Sequence, residues 1–353
     1  MNNFEFCCPT KVVFGKGSIQ RLTGLIDKDK KVLMIYGGGS IKKNGVYDQV
    51  KKALEGFQVV EFSGIEPNPT YETCMKAVEI VKKENIDFLL AVGGGSVLDG
   101  TKFIAAASKY KGDEPYDIVS KELDIKEALP VGCVMTLPAT GSEMNCAAVI
   151  SRVSTKEKFA MRNENVYPKF SIIDPEVTYT LPIRQTRNGI VDTFIHVMEL
   201  YATYDVNTPL QDSWALGLIK TLIQEAPKVL ANPNDYEARA NIFWCATCGL
   251  NYWLSVGAVQ DWSTHRIGHE LTAFYGLDHG QSLAIVLPRL WQNRKQDKAK
   301  KLAKLAREVY GCLETDDLKA SDCAIKKTEE FFNSIGMQTK LYDYGINPVE
   351  AAG

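Results

Sequence analysis

The chain has 353 residues, with 41 Lys and Arg against 43 Asp and Glu, four His and a hydrophobic share of 45%. Its length suggests about two domains at roughly 150 residues each, and a net charge of −2 gives neither nucleic acid nor an anionic membrane surface an electrostatic footing as a partner. No apolar run approaches the roughly 18–20 residues of a membrane span, the opening Met1-Asn2-Asn3-Phe4-Glu5-Phe6 lacks the basic and apolar regions of a secretory signal, and nine scattered Cys read as the thiols of a reduced, cytoplasmic protein.

Residues 31–36 form the first apolar strand, which ends in Gly37-Gly38-Gly39-Ser40. Residues 59–62 form a second. A stripe of Cys74, Met75, Val78 and Val81 marks a helix over 71–83. A third strand, 87–92, again ends in Gly93-Gly94-Gly95-Ser96, and 130–136 is a fourth. Strands alternating with helices predict a parallel sheet covered on both faces. The pattern changes at Asp174-Pro175 and Leu181-Pro182. Beyond them strand signals nearly vanish, and 188–203, 210–230, 236–253, 262–275 and 297–310 read as helices. The expected organisation is an α/β domain over 1–180 and an all-α domain over 181–353. The charge run 294–304 reads as a solvated helix face. Cys7, Cys8, Cys245 and Cys248 read as buried small hydrophobes, because no second thiol pair follows at zinc-finger spacing.

Two Gly-Gly-Gly-Ser turns in one α/β region point to nucleotide binding. Glycine lets the backbone approach an anion closely, and a following helix offers open N–H groups. The alternative is a tight strand–helix turn and nothing more. Neither turn matches G-x-G-x-x-G, Gly15-Lys16-Gly17 fails because Gln20 holds the last glycine position, and a Walker lysine is absent. The four histidines lie between 196 and 279. His196 follows Asp192 by four residues and His269 follows His265 by four, so each pair shares a helix face. His279 follows in the loop-like Gly276-Leu277-Asp278-His279-Gly280. Spacing alone leaves two readings open, a metal site or a set of structural histidines. An Asp with three neutral imidazoles suits Fe2+ or Zn2+ and suits Mg2+ or Ca2+ poorly. Four protein ligands would close a tetrahedral zinc site, so His269, beside His265, is the candidate to stay off the metal.

Taken together, Gly93-Gly94-Gly95-Ser96-Val97-Leu98-Asp99-Gly100-Thr101-Lys102, Thr136-Leu137-Pro138-Ala139-Thr140-Gly141-Ser142-Glu143, the Asp192/His196 pair and His265-x3-His269 with His279 resemble the iron-containing (group III) alcohol dehydrogenases. The likeness covers nearly the whole chain and is strongest to the NADPH-dependent butanol dehydrogenase and broad-range aldehyde reductase branch. It implies an N-terminal Rossmann-like domain and a C-terminal helical domain, an architecture shared with dehydroquinate synthase, with cofactor and metal in a cleft between them. It implies Asp192, His196, His265 and His279 as ligands of one Fe2+ or Zn2+ ion. By the same resemblance Gly94, Gly95 and Ser96 hold the cofactor's pyrophosphate, and Thr136, Leu137, Thr140 and Lys158 line the nucleotide. Asp99 lies toward nicotinamide and substrate, Asn145 and His269 border the substrate pocket, and the chain forms a homodimer. Family members usually run further, through closing helices, so a chain ending at Ala351-Ala352-Gly353 looks truncated.

The first glycine turn also bears on cofactor choice. Dinucleotide sites usually place an acid past an early strand to bond the ribose hydroxyls, and that acid would repel a 2′-phosphate. Here Gly37, Gly38 and Ser40 offer backbone donors and a hydroxyl, with Lys42 and Lys43 just beyond. NADP(H) is therefore expected over NAD(H). The expected activity interconverts short-chain aldehydes and primary alcohols, the metal polarising the carbonyl and His269 relaying the proton that the alkoxide takes up. The competing reading is an NAD-using, metal-dependent lyase or cyclase of the related sugar-phosphate class. Its substrate needs a basic cluster near the metal. Arg187 and Arg266 stand near the ligands in sequence, and no cluster is apparent.

Overall fold

The strands of the first half are β1 (Lys11–Phe14), β2 (Lys31–Tyr36), β3 (Gln58–Ser63), β4 (Phe88–Gly93), β5 (Val131–Met135), β6 (Ala147–Arg152), β7 (Glu157–Arg162) and β8 (Phe170–Ile173). In the computed structural model, which describes residues 1–351, six of them form one sheet in the order β1-β8-β5-β4-β2-β3, with every pairing parallel. β4 and β5 are buried at every position, which is why they read as continuous apolar runs rather than alternating ones. The connecting helices are α1 (Ser40–Lys43), α2 (Val46–Ala53), α3 (Tyr71–Glu84), α4 (Gly95–Lys109) and α5 (Asp117–Ser120). α3 begins where the Thr70 hydroxyl accepts the N–H of Thr73 and ends at Asn85 in the left-handed region, and it buries Cys74, Ala77, Val78 and Val81.

β2 pairs with β3 on one side and β4 on the other, so the chain reverses its travel across the sheet there. At such a switch point the carboxyl ends of the strands leave a crevice for ligands. Tyr36, the last residue of β2, lies beside Val92 of β4. The two Gly-Gly-Gly-Ser turns therefore emerge side by side. The short strands β1 and β8 and the antiparallel hairpin β6–β7 are absent from the sequence reading. β1 and β8 have four residues each, too few to show a period. β7, Glu-Lys-Phe-Ala-Met-Arg, is charged at both ends and becomes a strand by pairing with β6.

The second half is helical: α6 (Ile183–Tyr201), α7 (Pro209–Ala231), α8 (Tyr236–Gly249), α9 (Ser263–Tyr275), α10 (His279–Asn293), α11 (Lys295–Glu308), α12 (Asp317–Ser334) and α13 (Pro348–Ala351). Phe194, Ile219, Leu222, Leu283 and Phe332 are among the residues of its core. Three of its helices, α10, α12 and the short α13, lie outside the helices expected from the sequence. α10 carries Gly280 at its start and Pro288 inside, both poor helix formers, yet it buries Ser282–Trp291 positions such as Leu283, Ala284 and Leu287, and this packing decides its conformation. His279 is accordingly the first residue of a helix and not a loop residue. The helix expected over 236–253 stops at Gly249, because Tyr252 sits at φ 72° before a 3-10 turn.

The chain divides into two compact units, Cys7–Thr180 and the residues from Leu181 onward, to which Met1–Phe6 belong. Those six residues leave the expected 1–180 domain because the Asn2 N–H donates to Gly257 O at 2.9 Å and Phe6 packs edge-on against Trp253. The charge run 294–304 is only partly a solvated face. Lys298 and Lys301 are buried. Lys298 Nζ donates to Ala202 O at 2.6 Å and to Asp261 Oδ2 at 2.7 Å, and Lys301 Nζ donates to Asp212 Oδ1 at 2.5 Å. The buried-thiol expectation holds for Cys245 but not for Cys7, which is exposed, and Cys8 and Cys248 are half-buried. All nine Cys are free thiols. Among the described residues no helix is long and apolar enough to cross a membrane.

Candidate metal centre and dinucleotide loops

α6 presents Asp192 and His196 one turn apart, α9 presents His265, and α10 presents His279 from its first turn. The three imidazoles converge on one carboxylate oxygen. Asp192 Oδ1 lies 3.6 Å from His196 Nε2, 3.5 Å from His265 Nε2 and 3.4 Å from His279 Nε2. Metal–nitrogen bonds of about 2.0–2.1 Å in a tetrahedron put neighbouring donors about 3.3–3.4 Å apart, so these spacings suit one small divalent ion. Asp192, His265 and His279 each offer a ligand atom within 4.8 Å of the others. The His196 ring stacks on His265, with centroids 4.7 Å apart.

The backbone allows this convergence through a glycine. A Cβ at Gly280 would stand 2.8 Å from Asn188 Cα, so only glycine lets the start of α10 approach α6 and deliver His279. Asp278, just before it, receives the Arg184 guanidinium and the Asn188 amide. Arg184 is a further basic residue close to Asp192 in sequence, and its charge is engaged by Asp278.

His265 carries a partner that no motif indicated. Glu199 Oε1 accepts the His265 backbone N–H at 3.1 Å, and Oε2 takes the ring Nδ1. Nε2 is then the lone-pair side, and it makes no hydrogen bond; nor does the buried Asp192 Oδ1 facing it. Two acceptors face each other with room for a cation or a proton between them, which is the arrangement a metal ion resolves. Charge follows the same logic. Burial alone would lower the His265 pKa, but the Glu199 and Asp192 carboxylates outweigh it and lift it to about 9. Burial works against the Asp192 anion, yet His196, His279 and His265 hold its pKa well below the usual carboxylate range. His269 follows one turn after His265. Its ring centroid is 6.1 Å from that of His265 and 5.4 Å from that of His279.

In the other unit, the expected cofactor residues gather at three neighbouring strand ends. Gly37, Gly38 and Ser40 follow β2, Gly94, Gly95 and Ser96 follow β4, and Thr136, Leu137 and Thr140 follow β5. Space differs sharply between glycines. A Cβ at Gly95 would lie 2.4 Å from Thr140 Oγ1, whereas Gly38 has nothing within 4 Å. Lys158 reaches the second turn through Asn68: its Nζ donates to Asn68 Oδ1 at 2.9 Å, and the Asn68 N–H donates to Ser96 Oγ at 3.3 Å. Asn68 stands at φ 57° between Pro67 and Pro69, a turn signal that would have found it.

Asp99 and Asn145 meet around a buried cation. Lys102, fully buried, donates to Ser142 O at 2.7 Å, Ser142 Oγ at 2.8 Å, Ala147 O at 2.9 Å and Asn145 Oδ1 at 3.0 Å. Ser142 Oγ donates to Asp99 Oδ1 at 2.7 Å, and the Val149 N–H donates to Asp99 Oδ2 at 3.1 Å. Burial pushes the Lys102 pKa down to about 8 against the pull of Asp99. Burial raises the Asp99 pKa despite Lys102 and the two hydrogen bonds. Lys102 carries no role in the sequence motif, and the structure makes it the anchor of the 141–149 segment.

Residues 9–175 match the iron-containing alcohol dehydrogenase profile, and 186–352 match the C-terminal domain of the Fe-containing alcohol dehydrogenase family. The chain is 52% identical to the NADPH-dependent aldehyde reductase YqhD of Escherichia coli, over 98% of this chain and 90% of that protein. It is 45% identical to a probable NADH-dependent butanol dehydrogenase of Bacillus subtilis, over 98% and 91%. The crystal structure of Escherichia coli YqhD superposes with a TM-score of 0.96 at 51% identity, covering 98% of this chain and 89% of that one. That of NADH-dependent butanol dehydrogenase A from Thermotoga maritima gives 0.94 at 40% identity, covering 98% and 88%. With the metal-sized cluster of Asp192, His265 and His279 and the paired glycine turns, these matches establish that the chain belongs to the iron-containing alcohol dehydrogenase family.

Proposed function

We propose that the chain is a metal-dependent, NADP(H)-linked aldehyde reductase and alcohol dehydrogenase of the butanol dehydrogenase type, interconverting short-chain aldehydes and primary alcohols. The observation that carries the reading is the convergence of three imidazole Nε2 atoms on Asp192 Oδ1 at 3.4–3.6 Å. Asp192, His196, His265 and His279 would hold one Fe2+ or Zn2+ ion, the softer nitrogen donors selecting against Mg2+ and Ca2+. When bound, the ion supplies Lewis acidity and the dinucleotide supplies hydride.

The protein's own groups do the rest. Gly94, Gly95 and Ser96 would bind pyrophosphate through the backbone N–H groups at the start of the long helix α4. Thr136, Leu137, Thr140 and Lys158 would border the nucleotide. Asp99 and Asn145, tied to Lys102, would act by holding the 141–149 segment in place, so their effect on substrate is one of position. Reduction takes up one proton with the hydride, and His269 is the residue proposed to deliver it, directly or through water. Gly37, Gly38 and Ser40 would receive the 2′-phosphate. The open space at Gly38 supports NADP(H), as does the NADPH dependence in the name of the relative at 52% identity. The relative at 45% is named for NADH.

The test is direct. Metal-loaded protein is mixed with NADPH or NADH and a panel of unbranched aldehydes, and cofactor absorbance is followed. NADPH consumption with butyraldehyde is expected to exceed that with NADH or with a phosphorylated sugar. No consumption with any short aldehyde would overturn the reading. We further propose a homodimer, supported by the exposed Phe4, Phe6, Trp214 and Trp253 side chains; a monomer by sedimentation would refute it.

A further inference from the structure

Glu199 is buried, at 4% exposure. It stands on α6 three residues after His196 and seven after Asp192, so all three project from one helical face. Its two carboxylate oxygens hold one neighbour twice, at the His265 backbone N–H and at ring Nδ1. Its backbone carbonyl accepts the Asp261 N–H at 3.0 Å, two residues before α9 begins. The turn that launches His265 is therefore fastened to α6 at three points. With Nδ1–H given to Glu199, one tautomer remains, and its Nε2 lone pair faces Asp192 Oδ1 at 3.5 Å.

Charge points the same way. Three neutral imidazoles and Asp192 leave a divalent ion with one positive charge uncompensated in a buried site. A second carboxylate one bond network away cancels it. We propose that Glu199 is the positioning residue of the metal centre: it fixes the tautomer and ring orientation of His265 and neutralises the loaded site without touching the ion. This rests on the metal reading given under Proposed function.

The test compares wild type, Glu199→Gln and Glu199→Asp as full chains. Zn2+ affinity is measured by competition with a chromophoric chelator, the visible absorption is recorded with Co2+, and the melting of the metal-free proteins is followed. Glu199→Gln is expected to bind Zn2+ ten- to a hundredfold more weakly, to shift the Co2+ absorption and to melt like wild type without metal. Glu199→Asp, which keeps the anion on a shorter arm, is expected to fall between them. Zn2+ affinity of Glu199→Gln within threefold of wild type overturns the proposal. So does a metal-free Glu199→Gln or Glu199→Asp that loses its fold, since Glu199 would then be a structural residue. Wild type that binds neither Zn2+ nor Co2+ would instead refute the metal reading itself.

Discussion

The two halves of this molecule build their sites from different materials. The loops proposed to take the dinucleotide, in the Cys7–Thr180 unit, are built on backbone: glycine turns at the ends of adjacent parallel strands. The metal cluster is all side chain, brought from α6, α9 and α10 onto one oxygen of Asp192. A backbone site fails when atoms are added to it. A side-chain site fails when atoms are taken away. The two regions therefore call for opposite kinds of substitution.

The largest effect is expected from subtraction at the cluster. His265→Ala removes one donor and leaves the buried Glu199 without its imidazole partner, so purified protein should lose both metal and activity. Stoichiometric metal retained in that variant, by elemental analysis, would break the assignment of the cluster. His269→Ala sharpens the same contrast, because it takes away the proposed proton relay and leaves the donors in place. Metal content should be unchanged, and the rate should fall by roughly ten- to ten-thousand-fold, as for a lost proton-transfer group. Full activity in the metal-replete variant would end the relay role and leave the metal centre standing.

Addition is the probe for the loops. Gly38→Asp places a carboxylate in open space, so the fold should tolerate it. Repulsion of a 2′-phosphate should move kcat/KM toward NADH by about tenfold or more, since about 1.4 kcal/mol lies within the Coulomb range for charges about 4 Å apart near a surface. An unchanged NADPH/NADH ratio would detach Gly38 from cofactor choice. Gly95→Ala has no such space. Its Cβ would meet Thr140 Oγ1 at 2.4 Å, and the overpacking should cost about 1–3 kcal/mol of stability, read from the urea midpoint. A midpoint equal to wild type would show that the turn relaxes freely.

A further prediction is a pH dependence confined to the metal-free protein. The His265 pKa is lifted to about 9 in the folded chain, against about 6.5 when unfolded. The folded state then holds the proton more tightly. This contribution to stability is fully present below about pH 6.5 and is lost as pH rises through about 9. Metal replaces the proton, so the slope should be absent in loaded protein. Denaturation midpoints across pH 6–10 with and without Zn2+ measure it, and parallel curves would contradict it.

Much of the metal site is legible in linear sequence because helices convert spacing into direction. Asp192 and His196 had to share a face at i, i+4, and so did His265 and His269. Glu199 was not legible. It is seven residues from Asp192 on the same face, but a glutamate in a helix carries no signal until a partner arrives from α9. Lys298 and Lys301 misled for a related reason: a run of lysines reads as solvent-facing until Asp212 and Asp261 are folded against it. His279 reads as a loop residue because it sits in Gly276-Leu277-Asp278-His279-Gly280, and packing of α10 against α6 and α12 makes it the start of a helix.

The amino-acid order by itself determined the parallel α/β half, the helical half and the two glycine turns, because each depends on periodicity or on a short motif that acts locally; spacing leaves the histidines open between a metal site and structural roles, and the family resemblance implies the ligand set. Tertiary structure alone decided the rest. It seated Met1–Phe6 on the helical unit, paired β6 with β7 and made His279 the start of a helix. It also turned Lys102 and Glu199 into buried anchors for Asn145 and His265. Each of those outcomes depends on which distant group supplies the missing hydrogen bond or charge. A buried polar atom must find such a partner, and linear spacing says nothing about where it will come from.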